Sequence, residues 1–194
     1  MKLMRLLSGI LLILMMNSCA TFSSELKNNG MLNNSNINLI NGRYEILPIE
    51  IDTTNLTFVS GRLNYNLIQE FERNPFDPTI FKSDDSVKYT VELEIKNSKE
   101  FEISFLTNDK VSNSKIIEYQ LKEDGFLYLD NDNFKIWGIP YLFGSMDLNK
   151  KRISIDNESN LILDVANFRG GAILLIIFVD GGRTSYRKII KKVE

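Results

Sequence analysis

The sequence predicts a mainly β protein, in which antiparallel strands follow one another as an up-and-down meander, close into a barrel-like sheet and carry one short amphipathic helix. Three observations predict this fold. Apolar and polar residues alternate strictly in several short segments, which is the pattern of a strand with one buried and one wet face. Turn-forming residues recur at intervals of about ten residues, as in antiparallel meanders. Residues 63–71 alone show apolar side chains at helical spacing.

The strands predicted before residue 130 follow this alternation. They begin at Gly42 and continue over residues 87–96, 100–106, 117–121 and 126–129. The last two are joined by Asp124 and Gly125, and an Asp-Gly pair between alternating segments predicts a hairpin because both residues accept positive φ.

The C-terminal third predicts five further strands separated by polar or glycine-containing turns. The strands are residues 146–148, 152–155, 161–165, 171–179 and 184–193, with turns at 149–151, 156–160, 167–170 and 180–182. Residues 171–179 are apolar throughout, yet they are too short for a membrane helix, which needs about 20 residues. We therefore expect the most buried strand here, covered on its second face by the helix 63–71 or by residues 134–144.

The helix has apolar residues at positions 63, 67, 68 and 71, with polar residues between them. It is expected to end before Asn74 and Pro75, because proline disfavours helical backbone in the residue that precedes it.

The N-terminus has the order of a secretory signal. Lys2 and Arg5 are followed by the apolar stretch 6–16, small Ser18 and then Cys19, the single cysteine of the chain. A lone cysteine after a small residue at this place resembles the lipobox of bacterial lipoproteins. The resemblance implies cleavage of residues 1–18, lipidation of Cys19 and attachment to a membrane through that lipid.

We expect residues 19–36 to be the lipidated cysteine and a flexible polar tether, because this asparagine-rich and serine-rich stretch offers little apolar surface to bury. Residues 37–194 then form a single β-rich domain. Ala20, rather than an aspartate, follows the cysteine, and this resembles lipoproteins sorted to the outer membrane. The expected location is the bacterial cell envelope, lipid-anchored, at the outer rather than the inner membrane.

Composition argues against several classes of function. The chain has no histidine, which is the commonest general base and metal ligand, and its cysteine is assigned to lipid, so we expect no enzyme, no metal site and no cofactor. The formal charge of −2 disfavours a nucleic-acid partner, since phosphate binding needs a concentrated basic surface.

Gly42, Arg43 and Tyr44 open the first predicted strand. This tripeptide resembles the Gly-x-Trp start of lipocalins and their calycin relatives, with tyrosine in place of tryptophan. The resemblance implies that an arginine of the last strand, Arg183 or Arg187, packs across the Tyr44 ring. The departures are an absent disulfide, no helix after the last strand, and a helix and proline loop where early barrel strands belong.

Residues 134–144 combine aromatic side chains with glycine and proline, and include Trp137, Tyr141 and Phe143. Aromatic residues on irregular backbone are typical of a ligand mouth or a protein contact surface, although a large aromatic side chain in a β domain is more often part of the core.

Two functions stay open from the sequence. The first is non-catalytic binding of a small apolar or amphipathic ligand inside a lipocalin-like barrel. The alternative is a structural or protein-interaction lipoprotein with a filled core and an envelope protein as partner. The inward positions of the predicted strands hold mainly large residues, which favours the filled core; they are Tyr89, Phe101, Phe105 and Tyr119.

Overall fold

A computed structural model describes residues 20–23, 26, 32–53, 61–72, 84, 86–131, 134–139, 142–173 and 177–193. Within these residues the chain forms nine strands, one short α-helix and two 3-10 turns. The strands are β1 Gly42–Asp52, β2 Tyr89–Ile95, β3 Glu100–Thr107, β4 Lys110–Leu121, β5 Leu127–Asp130, β6 Phe134–Ile139, β7 Phe143–Ile155, β8 Leu161–Ile173 and β9 Ile177–Val193. The helix α1 is Leu67–Phe71, and the 3-10 turns are Ile37–Ile40 and Gly61–Asn64.

The strands form one antiparallel sheet in which consecutive strands pair with each other, except β5 and β6. Its order is β5-β4-β3-β2-β1-β9-β8-β7-β6, so the first and last strands pair with each other. The sheet closes into a ring because β5 also pairs with β7, residues 127–129 lying opposite residues 151–153. The predicted mainly β fold, an antiparallel meander with barrel-like closure and one short helix, is confirmed.

Part of the sheet lies outside the ring. The other half of β7, residues 143–148, pairs with β6, and β1 pairs with β9 only over residues 43–52 and 187–193. Among the described residues, β6 to β9 therefore extend this same sheet beyond the ring. We call this the arm and define it as residues 134–139, 142–149, 167–173 and 177–184.

Large apolar side chains fill the inside of the ring. They include Tyr44, Val91, Phe101, Ile103, Phe105, Tyr119, Leu127, Ile153, Leu163, Val165, Tyr186 and Ile190. Helix α1 packs against the same core through Leu67, Ile68 and Phe71, each about 1% exposed. The helix belongs to the ring interior and not to the cover that was expected for residues 171–179.

The helix is shorter than predicted, and a capping box explains where it begins. The Asn66 side chain accepts a hydrogen bond from the Gln69 backbone N–H at 2.9 Å, and the Gln69 side chain accepts one from the Asn66 backbone N–H at 3.0 Å. Asn66 itself is extended, so the 3-10 turn before it and helix α1 are separate elements.

A buried ion pair ties the helix to the sheet. Lys188 Nζ and Glu70 Oε1 are 2.6 Å apart, and both side chains are about 1% exposed. The Tyr186 hydroxyl donates to the same carboxylate oxygen at 2.8 Å, and Lys188 also donates to the Tyr65 carbonyl at 2.6 Å. The charges therefore keep hydrogen-bond partners in a site without water contact.

Three of the predicted C-terminal turns are wrong. Residues 149–151 lie inside β7 and residues 167–170 inside β8, where the two strands pair continuously over thirteen residues each. Residues 180–182 lie inside β9 at a register shift opposite residues 168–170, and Gly182 has φ 101°. They form a β-bulge, which uses the same glycine freedom as a turn without reversing the chain. The turn at 156–160 is confirmed.

The predicted buried strand at 171–179 is also wrong. β8 ends at Ile173, β9 begins at Ile177, and these two residues pair with each other. The described part of the apolar segment is thus divided between two paired strands of the arm, and Leu174, Leu175 and Ile176 lie outside the described residues. Of residues 134–144, expected as irregular, 134–139 form β6 and 143–144 begin β7.

The buried ion pair generates a stability prediction. In Lys188→Met the Glu70 carboxylate loses its cation, and the free energy of unfolding should fall by about 3–5 kcal/mol, because an unpaired buried charge is costly. Urea denaturation measures the change. Lys88→Met is the matched control, since Lys88 is 57% exposed, and it should change stability by less than about 0.5 kcal/mol. Equal effects of the two substitutions would contradict a buried, paired Glu70.

Candidate functional site

The ring interior, which a ligand container would have to leave open, is occupied by side chains in its described part. Two clefts are lined by described residues, and both lie near turns at one end of the strands. One of about 500 Å³ runs along residues 120–124, and one of about 340 Å³ lies between Asn34, Ile37, Asn97 and Tyr119. Neither cleft is lined by Trp137 or Phe143.

The start of β1 has the predicted aromatic residue but a different cation. Tyr44 is fully buried, its hydroxyl donates to the Ile40 carbonyl at 2.7 Å, and burial raises the pKa of that hydroxyl well above its ordinary value. Lys192 Nζ stands 5.7 Å from the centre of the Tyr44 ring. Gly42 has φ 142°, a backbone conformation that other residues rarely adopt, so this position favours glycine.

The expected arginine partners of Tyr44 are elsewhere, which corrects the prediction drawn from the lipocalin resemblance. The register places Tyr44 opposite Lys192, whereas Arg187 lies opposite Asp52 at the other end of β1. Arg183 lies beyond the last β1–β9 pair, and its guanidinium stands 5.4 Å from the Phe168 ring.

Arg187 instead belongs to a buried charge cluster on the outer face of the ring. It donates to both carboxylate oxygens of Asp164, at 2.7 and 2.9 Å, and Arg152 donates to the same carboxylate at 2.9 Å. Asp164 is fully buried, and the Phe126 ring lies 4.1 Å from the Arg152 guanidinium. A carboxylate between two arginines can leave water because every charge has a bidentate or stacked partner.

The segment that follows Cys19 covers this cluster. The Phe22 ring lies 4.5 Å from the Arg152 guanidinium and meets the Tyr128 ring edge-on at 5.7 Å. The backbone N–H of Ser23 donates to the Ser185 hydroxyl at 3.0 Å. The described part of the expected tether therefore makes specific contacts with the folded sheet.

Ala20 is the described residue closest in sequence to Cys19, and it is buried at 3% exposure. It packs against Ala166 and Phe168, with Met146 and Leu148 beside them. Farther along the same segment, Leu26 and Leu32 are also buried, the latter in the ring core. The polar composition of residues 19–36 gave no sign of these contacts. In its described part, only four apolar side chains pack the segment against the fold: Ala20, Phe22, Leu26 and Leu32.

The segment runs toward the arm as it approaches Cys19. Phe22 contacts Arg152, which lies opposite Asp164, whereas Ala20 contacts Ala166 and Phe168, two and four residues farther along β8 in the direction of the arm. The chain therefore reaches the base of the arm at Ala20. Cys19 itself lies outside the described residues.

The aromatic residues singled out in 134–144 lie on the arm. Trp137 is in β6 and Phe143 begins β7, and each side chain is about half exposed. They are neither in the ring core nor around its opening, while Tyr141 lies outside the described residues.

The arm carries an unusual amount of exposed apolar surface. Among the described side chains, the exposed aromatic residues are confined to it, and Ile136 is the most exposed large apolar residue at 67%. The exposed apolar side chains of the arm are Phe134, Ile136, Trp137, Ile139, Leu142 and Phe143. Soluble monomers rarely expose such contiguous patches, so a patch of this kind marks a contact surface.

Other kinds of site find less support in the described part of the chain. No group of three or more acidic or cysteine side chains there is arranged to hold a metal ion. No described helix is long and apolar enough to cross a membrane.

Comparisons of this chain with protein-family models, with curated proteins and with solved structures found no match. The functional argument therefore rests on the chain's own residues.

The seating of the N-terminal segment can be tested at Phe22. Phe22→Ala removes a half-buried ring from the Arg152 cluster and should lower the free energy of unfolding by about 1–2 kcal/mol. Leu39→Ala, at a side chain that is 51% exposed, is the control and should leave stability within about 0.5 kcal/mol. Urea unfolding of both variants decides the matter: a segment that is free in solution predicts the same small effect for each.

Proposed function

We propose that this protein is a non-catalytic lipoprotein of the bacterial cell envelope, held by lipid on Cys19, which acts through its outer surface and not by enclosing a ligand. The observation that carries the proposal is the distribution of apolar side chains. Inside the ring they fill the described interior, whereas on the arm they face outward. The alternative with a filled core is thus favoured over the ligand container.

The interior supports this choice in detail. Tyr44, Phe101 and Phe105 are each at most 1% exposed, and helix α1 occupies space among them. A small-molecule site is usually an apolar cavity of about 300–1,000 Å³ with a few polar groups aimed into it. Glu70 and Lys188, two fully buried charged groups of this core, are directed at each other.

The same ion pair argues against a catalytic role for the interior. Glu70 and Lys188 are each about 1% exposed and joined at 2.6 Å, so neither presents a free oxygen or amine to a substrate. Catalytic acids and bases need geometric access to the proton that they move. The sequence has no histidine to supply a base elsewhere.

The anchor is supported by the sequence around Cys19 and by the position of the next residue. Ala20 packs on the outer face of β8, so contact with the folded sheet begins one residue after the proposed lipidation site. Two or three acyl chains give stable attachment, since each buried methylene contributes about 0.8 kcal/mol. Ala20 after the cysteine favours the outer membrane as the proposed location.

Lipid attachment is tested by Cys19→Ser in the full chain in a bacterial host. The wild-type chain should incorporate labelled palmitate, lose residues 1–18 and sediment with membranes, because the thiol is the proposed acceptor. The variant should keep its leader and carry no label, as measured by mass spectrometry and autoradiography. Equal labelling of the variant would show that the lipobox interpretation is wrong.

The choice between container and outer surface is tested with an apolar fluorescent probe. We expect binding to the wild-type chain to be lost in Phe134→Ser/Ile136→Ser, because the exposed arm is the surface that attracts the probe. Both side chains are exposed, so the variant should keep its stability. One-to-one binding with a micromolar midpoint, about −8 kcal/mol, that survives this variant would establish an interior site instead.

A further inference from the structure

We propose that the arm is a membrane-contacting element, whose uncharged end lies in the interfacial layer of the same bilayer that takes up the lipid of Cys19. The inference deepens the proposed function and rests on its lipid anchor. It assigns a partner, a lipid surface, to the exposed apolar residues of the arm.

The first argument is that β6, the edge strand of the arm, exposes apolar side chains on both of its faces. Successive side chains of a strand point to opposite faces, so Phe134 and Ile136 lie on one face of β6, and Trp137 and Ile139 on the other. All four side chains are about half exposed or more. A protein partner that packs on one face leaves the other in water, whereas a lipid layer surrounds both.

The second argument is the position of charge along the arm. Lys135, Asp147 and Arg169 lie in one row across β6, β7 and β8, and Arg169 pairs with Asp147 at 3.1 Å. Asp180 of β9 pairs with Gly170, one residue beyond this row, and past it residues 136–146 and 170–179 contain no charged residue. Asp180 lies three residues from the last pair of β8 and β9, Ile173 with Ile177, which is about 10 Å of strand.

The third argument is continuity with the anchor. Met146 and Leu148 pack beside Ala20, and they lie directly opposite Ile136 and Phe134 in the sheet. The residue that follows Cys19 is therefore on the same face of the sheet as the exposed Phe134 and Ile136 of β6. A lipid attached one residue before Ala20 brings the base of the arm to the membrane surface, and the uncharged end extends past that base.

The backbone sets the depth. In the described part of the chain, no strand pairs with the outer edge of β6. Open sheet edges are not tolerated in hydrocarbon, because their N–H and C=O groups need partners. The arm therefore enters the hydrated interfacial layer, where amphipathic elements bury about 5–10 Å, and its uncharged end of about 10 Å is long enough.

Another exposed apolar row does not have these properties. Leu47, Ile49 and Ile51 of β1 are also exposed, but they alternate with Pro48 and the exposed charged residue Glu50, and two register shifts interrupt this part of β1.

The test uses Trp137, the single tryptophan of the chain. The mature lipidated protein is reconstituted in vesicles of phosphatidylethanolamine and phosphatidylglycerol that contain a doxyl-labelled lipid. We expect Trp137 fluorescence to be quenched by a label near the top of the acyl chain and only weakly by one near the terminal methyl. Quenching of Trp137 by aqueous iodide should be about threefold weaker with vesicles than for the same protein in solution without vesicles or detergent. The reason is that the indole ring leaves water when it enters the lipid layer.

The matched control moves the tryptophan to the opposite end of the molecule. Leu39 is 51% exposed and precedes β1, whose start lies beside Val193 and far from the arm. In Trp137→Phe/Leu39→Trp, lipid quenching should be absent and iodide quenching unchanged. Ile136→Lys and Ile139→Lys change exposed side chains, so the protein should stay folded. In these variants iodide should again quench Trp137 fluorescence as strongly as it does without vesicles.

Each result decides between accounts. Lipidated protein whose Trp137 is open to iodide and unaffected by doxyl lipid overturns the membrane-contact proposal and leaves the anchor intact. Protection from iodide without doxyl quenching also overturns it, and shows that the arm is covered by protein, such as a second copy. A chain without lipid on Cys19, seen by mass spectrometry, refutes the proposed function itself.

Discussion

The pairing of β7 with two different strands determines the rest of this structure. Its residues 151–153 pair with β5 and close the ring, while its residues 143–148 pair with β6 and extend the sheet outside it. One strand of thirteen residues is long enough for both tasks. The closed part removes sheet edges and encloses a core, and the open part keeps edges and apolar faces that the core does not use.

The inner and outer faces of the ring bury their charges differently. Inside the ring, Glu70 and Lys188 attach helix α1 to β9. On the outer face, Asp164 lies between Arg152 and Arg187, and the Phe22 ring covers the first of these arginines. This second cluster gives the N-terminal segment a fixed place on the sheet. It thereby links the proposed lipidation site to the arm, because the contacts of Phe22 place Ala20, two residues earlier, against the base of the arm.

Local patterns predicted the fold where a strand has one wet and one buried face. β2 and β3 alternate strictly, and their bounds differ from the predicted ones by at most two residues. Longer strands were divided in the prediction, because Asn149, Lys150 and Lys151 have the composition of a turn. In the sheet they pair with residues 165–167, and the neighbouring strand supplies the stabilisation that their own propensity lacks. Asn108 and Asp109 form a tight turn with φ 50° and 62°, without the glycine that marks such turns most clearly.

The candidate site was predictable only in part. The concentration of aromatic residues at 134–144 pointed to the right segment, and Trp137 and Phe143 do lie on the exposed arm. Its partner hairpin was concealed, because the uninterrupted apolar residues 171–179 give no sign of a chain reversal. The Lys192 contact with Tyr44 depends on the β1–β9 register, which involves residues about 150 apart and cannot be obtained from local spacing.

In this account the N-terminal segment packs on the sheet from Ala20 onward, so that no free tether separates the lipid from the sheet and the arm lies against the bilayer. Neutron reflectometry of the lipidated protein on a supported bilayer measures this directly, as the density of protein against distance from the membrane. The account predicts that protein density overlaps the headgroup layer and continues outward without a water gap. A hydrated gap wider than about 10 Å between headgroups and protein would require a free tether, and would contradict the account.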